Sequence, residues 1–141
     1  MKVLAICLAI LAIIISVVPQ ITDCQSQGRM LTLEDGRQVP MKCHWTASTE
    51  ITLGVPLFAV AGALFLSRQQ ETRLTLGSLG MVIGVLVILI PTELIGVCTN
   101  PDMLCHLVMN PTLILTGSLA TAIGLSITLF SLAKGKISSP A

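Results

Sequence analysis

Four apolar segments, near Val3–Val18, Ile51–Leu66, Leu74–Ile90 and Thr112–Ala133, contain no Asp, Glu, Lys, Arg or His. Crossing the hydrocarbon of a bilayer as a helix takes roughly 20 predominantly apolar residues. The second segment is short by that count, and Thr46–Thr49 extends it into the interface. Backbone groups cannot go unpaired in lipid, which leaves helices or closed barrels. Continuous apolar runs without alternation argue against a barrel. The chain is 53% hydrophobic and 11% charged, whereas a soluble domain carries about 25% charged residues. Net charge is +1 and no basic run occurs, so nucleic acid is not an expected partner. The predicted fold is an all-α membrane protein, one domain over residues 1–141. Its four transmembrane helices lie near 3–19, 46–67, 74–92 and 111–133, with outer loops at 20–45 and 93–110.

Lys2, Arg68, Arg73, Lys134 and Lys136 fall on one side of such a layout, and Arg29, Arg37 and Lys42 on the other. The excess of Lys and Arg in short loops and tails predicts two cytoplasmic termini. The expected location is the cytoplasmic membrane, multi-pass, with the cysteine-bearing loops extracytoplasmic. Lys2 followed by an apolar stretch resembles a signal peptide, but the exit SVVPQITDC has no A-x-A cleavage pattern, and an uncleaved span is expected.

Cys7 lies inside the first span, where a small packing role is expected. Cys24, Cys43, Cys98 and Cys105 fall on the predicted outer side, two in each loop. An even set in an oxidising compartment predicts two disulfides. Cys24–Cys43 and Cys98–Cys105 are preferred because each closes its own loop, with cross-loop pairing left open. Such staples suit a cap that buries little apolar surface. Met30–Leu33 and Gln38–Met41 flank Asp35-Gly36, a favoured hairpin turn, so the cap is expected to contain a small β-hairpin.

The segment MKCHW, residues 41–45, returns as MLCHL, residues 103–107. Each follows an apolar run, a proline and a cysteine, and each precedes an apolar helix. The chain therefore reads as two helical hairpin repeats of one orientation. Gly77, Gly80 and Gly84 in the third span, with Ala120 and Gly124 in the fourth, mark expected helix contacts, since close backbone approach drives packing in lipid. Pro56 is expected to kink the second span. Pro111 suits the first turn of the fourth helix, with Asn110 as its cap.

Met41, His44, Met103, His106 and Met109 are candidate metal or redox residues. Thioether and imidazole suit copper, and thiolates widen the choice to zinc, although no zinc-finger CxxC is present. The two outer cysteine pairs also resemble the layout of disulfide-bond oxidases that pass electrons to quinone, without their CxxC. Glu50 and Glu93 are an interfacial acidic pair whose ordinary roles are helix-end complementation and solvation. Trp45 is a candidate interfacial anchor. No GxSxG and no Ser–His–Asp order is present, and no catalytic residue is assigned.

MKCHWTASTE, IGVCTNPDMLCHLVMNPTLILTG and the four-span plan resemble an uncharacterised family of small prokaryotic membrane proteins, a domain of unknown function with the number four-four-one-eight. That resemblance covers nearly the whole chain. It implies a prokaryotic cytoplasmic membrane and association with ABC-type export systems, and it supplies no activity. The leading expectation is a non-enzymatic accessory or interaction subunit of a membrane complex. Its partners would be the lipid bilayer and ABC-type transporter subunits or a second copy of itself, with no cofactor. The alternative is an extracytoplasmic thiol–disulfide or soft-metal protein built on the two MxCH elements, with copper, zinc or quinone as the cofactor.

Overall fold

The computed structural model describes residues 2–97 and 102–137, with side chains to 134. Helix α1 spans Lys2–Thr22, α2 Lys42–Leu66, α3 Gln70–Leu89 and α4 Asn110–Ile137. Two π-helical turns, Ile90–Leu94 and Cys105–Met109, extend α3 and lead into α4. With those turns included, four stretches are long and apolar enough to cross a bilayer: Lys2–Thr22, Lys42–Leu66, Gln70–Leu94 and Cys105–Lys134. Their mean hydropathies are 2.7, 1.8, 2.4 and 1.9. The molecule is a multi-pass membrane protein.

Each helix buries one stripe and exposes apolar residues elsewhere. In α1 the buried stripe is Ala5, Leu8, Leu11, Ala12, Ile15 and Pro19, recurring every three or four residues. Val3, Ile6, Ile10, Ile13 and Val17 point outward. A helix apolar on all sides is what a lipid surround requires, because no face needs water. Leu57, Leu113 and Ile127 complete the centre.

Helix α1 packs mainly on α2, and α3 on α4. The α3–α4 seam is a pair of reciprocal glycine contacts. A Cβ on Gly124 would lie 2.6 Å from the Met81 nitrogen and 2.8 Å from the Gly77 oxygen. One on Gly84 would lie 2.7 Å from the Thr121 nitrogen and 3.0 Å from the Gly117 oxygen, and one on Gly117 would meet the Gly84 oxygen at 3.0 Å. Gly80, four residues before Gly84, does not take part in this seam. Gly80 turns toward Leu8 and Val60 at 3.7 and 3.8 Å, and the working spacing is seven residues on each helix. On the other pair, a Cβ at Gly54 would collide with Ser16 and approach the Ala12 oxygen at 3.1 Å.

The expected hairpin is present, and it is short. Strand β1 (Leu31–Thr32) pairs antiparallel with β2 (Gln38–Val39), Leu31 opposite Val39. Gly36 takes φ 73° at the turn, a conformation open to glycine at no steric cost.

Helix α2 runs through Pro56 as one element. Two local expectations change. Asn110 is not a cap: its φ −60° and ψ −56° are helical, because the π turn feeds α4 without a break. Cys7 is exposed rather than packed.

Candidate functional site

The two MxCH elements open helices rather than lying in loops. Helix α2 starts at Lys42, so Cys43 and His44 sit in its first turn, and the Met41 carbonyl accepts from the His44 amide at 3.0 Å. The second element repeats this: the Met103 carbonyl accepts from the His106 amide at 2.9 Å. The π turn that begins at Cys105 holds one residue more than an α turn would. That extra residue accounts for twelve residues from Cys105 to Gly117 against eleven from Cys43 to Gly54.

The thiols of Cys24, Cys43 and Cys105 converge at this end of the bundle. Their sulfurs all lie within 4.8 Å of one another, and the residues are 2%, 0% and 0% exposed. The Cys24 and Cys105 sulfurs are 3.6 Å apart, and the Met103 thioether lies 4.0 Å from Cys24. No disulfide joins the described cysteines to one another, and a bonded pair would require about 2.05 Å. The expected Cys24–Cys43 staple is thus replaced by a cluster that draws on both loops. Cys98, and with it the expected Cys98–Cys105 staple, lies outside the described residues.

Local hydrogen bonds explain the convergence. Asp23 is buried beside Cys24, and its carboxylate accepts from the Ser26 amide at 2.8 Å. Its other oxygen lies 3.1 Å from His44 Nδ1. This pair ties the residue before Cys24 to the residue after Cys43. The Thr46 hydroxyl donates to the Gly96 carbonyl at 2.9 Å, joining α2 to the second loop, and the Gln20 amide donates to the Ala47 carbonyl at 2.9 Å.

Burial acts to raise the Asp23 pKa, but hydrogen bonds from His44 and Ser26 and the attraction of His44 outweigh it. The carboxyl sits below its ordinary 3.8. A carboxylate held below its unfolded value stabilises the fold above that value, and the contribution disappears as pH falls through the lowered native one. In metal-free protein, wild type is expected to lose more stability than Asp23→Asn between pH 5 and the acid limit, the two curves converging at the acid end. Detergent-solubilised melts across that range measure it; parallel curves would remove the pair from the account.

The other expected site residues divide. Met109 is fully buried, and Met41 and Met103 pack on the core's edge. His106 Nδ1 and Asn110 Oδ1 are buried with no hydrogen-bond partner among the described residues. Trp45 is 60% exposed, its indole edge-on to His44. Glu50 and Glu93 do not form a pair of like environment. Glu93 is exposed in the π turn after α3, whereas Glu50 is fully buried on the α2 stripe that carries Cys43 and Ala47. Both Glu50 oxygens lack a partner among the described residues.

Asp23 is what the sequence reading missed; its one signal is its position beside Cys24. Glu50 was expected at the interface, and the side of α2 that faces the bundle is what buries it. An unpaired buried polar group costs about 1–3 kcal/mol. Glu50→Leu is therefore expected to raise Tm in detergent, and a fall would show that the carboxyl has a partner in solution.

Three thiols and a thioether make a soft donor set, suited to copper(I) or zinc. A metal held by thiolates lies about 2.3 Å from each sulfur, which sets sulfur–sulfur edges of roughly 3.8–4.0 Å. The Cys24–Cys105 separation of 3.6 Å lies close to that figure, and the other two are at most 4.8 Å. Cys24, Cys43 and Cys105 are the residues that would hold the ion, with Met103 at the edge.

No curated protein and no solved structure matches the chain. The family model described as a domain of unknown function, DUF4418, matches residues 3–130. The match reaches all four spanning helices and includes every member of the sulfur cluster, and the chain belongs to the DUF4418 family.

Proposed function

We propose that this protein binds a soft transition-metal ion, copper(I) or zinc, at the end of its helix bundle. The convergence of Cys24, Cys43 and Cys105 within 4.8 Å carries the reading. Burial supports binding over catalysis of thiol exchange, since exchange needs accessible, low-pKa thiols. The asymmetry of Lys and Arg supports an extracytoplasmic position for this end, with both termini cytoplasmic. The matched MxCH turns support descent from a duplicated helical hairpin. The accessory-subunit reading, with an ABC-type transporter as partner, has no comparable built feature behind it and stands second to the metal reading.

A cross-loop disulfide is the competing state of the same residues. Cys24 and Cys105 need only approach by about 1.5 Å to reach bonding distance. Thiol labelling of purified, unfolded protein separates the two states. Under the metal reading, about one equivalent of metal co-purifies, and the cluster thiols label without reductant once a chelator is present. Labelling that demands a reductant, with no metal bound before or after reduction, would replace the metal site by a staple.

A further inference from the structure

At the opposite end of the bundle, the 67–73 connection and the end of α4 enclose a cavity of about 460 Å³. Arg68, Arg73 and Lys134 line it, with Gln70, Ser131 and the ring of Phe130. Its shape is held from within. The Arg73 Nε and Nη2 donate to the Ser67 carbonyl at 3.1 and 2.8 Å, and the Gln70 amide donates to the Ser131 carbonyl at 2.6 Å, joining α3 to α4. Among the described residues no acidic side chain lines it; Glu71, the one acid of this connection, is exposed and outside the wall. Helix α3 begins at its rim, and the cap residue Gln69 makes no capping hydrogen bond. The first amides of a helix and its dipole favour an anion.

We propose that this cavity binds the headgroup of an anionic phospholipid. Three cations without a counter-charge among the described wall residues call for a phosphate-bearing anion, and the Arg68 guanidinium matches phosphate oxygens geometrically. The lipid source follows from position. Phe130 belongs to the cavity and also to the outward apolar face of α4 with Leu129 and Leu132, so a headgroup seated here leaves its acyl chains along that face. Basic pockets between spanning helices hold acidic headgroups in this way. The inference is independent of the metal reading.

The test uses the full-length protein in mild detergent, titrated with short-chain phosphatidylglycerol, short-chain phosphatidylcholine and inorganic phosphate. Native mass spectrometry reads retention, and thermal unfolding reads stabilisation. Phosphatidylglycerol is expected to bind at least tenfold tighter than phosphatidylcholine. Each cation removed is expected to cost roughly fivefold, so Arg68→Gln/Arg73→Gln/Lys134→Gln loses about a hundredfold. Equal binding of the two lipids overturns the proposal. Inorganic phosphate binding as tightly as phosphatidylglycerol overturns the lipid source. Should the triple variant fail to fold, Lys134→Gln alone, exposed at the helix end, carries the fivefold test, and an unchanged affinity there counts against the site.

Discussion

Cys43→Ser is expected to weaken copper(I) or zinc binding at least a hundredfold, measured by competition with a chromophoric chelator. Serine keeps the size of the side chain and replaces a soft sulfur with a hard, protonated oxygen that is a poor donor to these ions. Cys43 is fully buried and within 4.8 Å of both other thiols. Metal affinity at thiolate sites is large, on the order of 10–16 kcal/mol for structural zinc, and losing one of three thiolates removes a sizeable share. Met103→Leu removes only a thioether at the margin and is expected to cost about tenfold. Unaltered binding by a folded Cys43→Ser protein would end the metal reading.

Gly124→Leu is expected to destabilise the bundle by about 3 kcal/mol or more, the upper part of the range for overpacking. The atoms its Cβ would strike belong to the backbone, Met81 nitrogen at 2.6 Å and Gly77 oxygen at 2.8 Å. A side chain can rotate away from such a collision; a helix axis must move as a whole. Moving it also breaks the Gly84–Gly117 contact two turns along, because the two approaches share the same pair of rods. Gly80→Ala is the matched control. Nothing lies nearer its added Cβ than 3.7 Å, and alanine in a helix interior gains about 0.5–1 kcal/mol over glycine. Melts of both variants in one detergent measure the difference; equal Tm values would show that the glycine seam does not hold α3 to α4.

The β-hairpin was legible because Asp35-Gly36 acts locally: the turn needs a positive φ, and glycine supplies it. The glycine seam was only half legible. Gly77, Gly80, Gly84 and Gly124 were expected at contacts, but Gly117 was not, and Gly80 faces α1 and α2 rather than α4. The facing side of a helix depends on where its neighbour lies, and small-residue spacing alone allows several faces. Glu50 shows the same limit. Residue 50 already falls inside the expected span, and its burial depends on which side of α2 the other helices cover.

What the sequence determined by itself is that the chain crosses a bilayer on four helices. Long charge-free runs have no other stable solution in lipid, and that property is local to each run. Tertiary structure alone decided which sulfurs meet. Loop length favoured Cys24 with Cys43, yet the Cys24 sulfur lies 3.6 Å from Cys105, 81 residues away. Closing a long loop costs only slightly more entropy than closing a short one. The packing of α1 and α2 beside the π turn before α4 therefore settled the partnership, and distance along the chain did not.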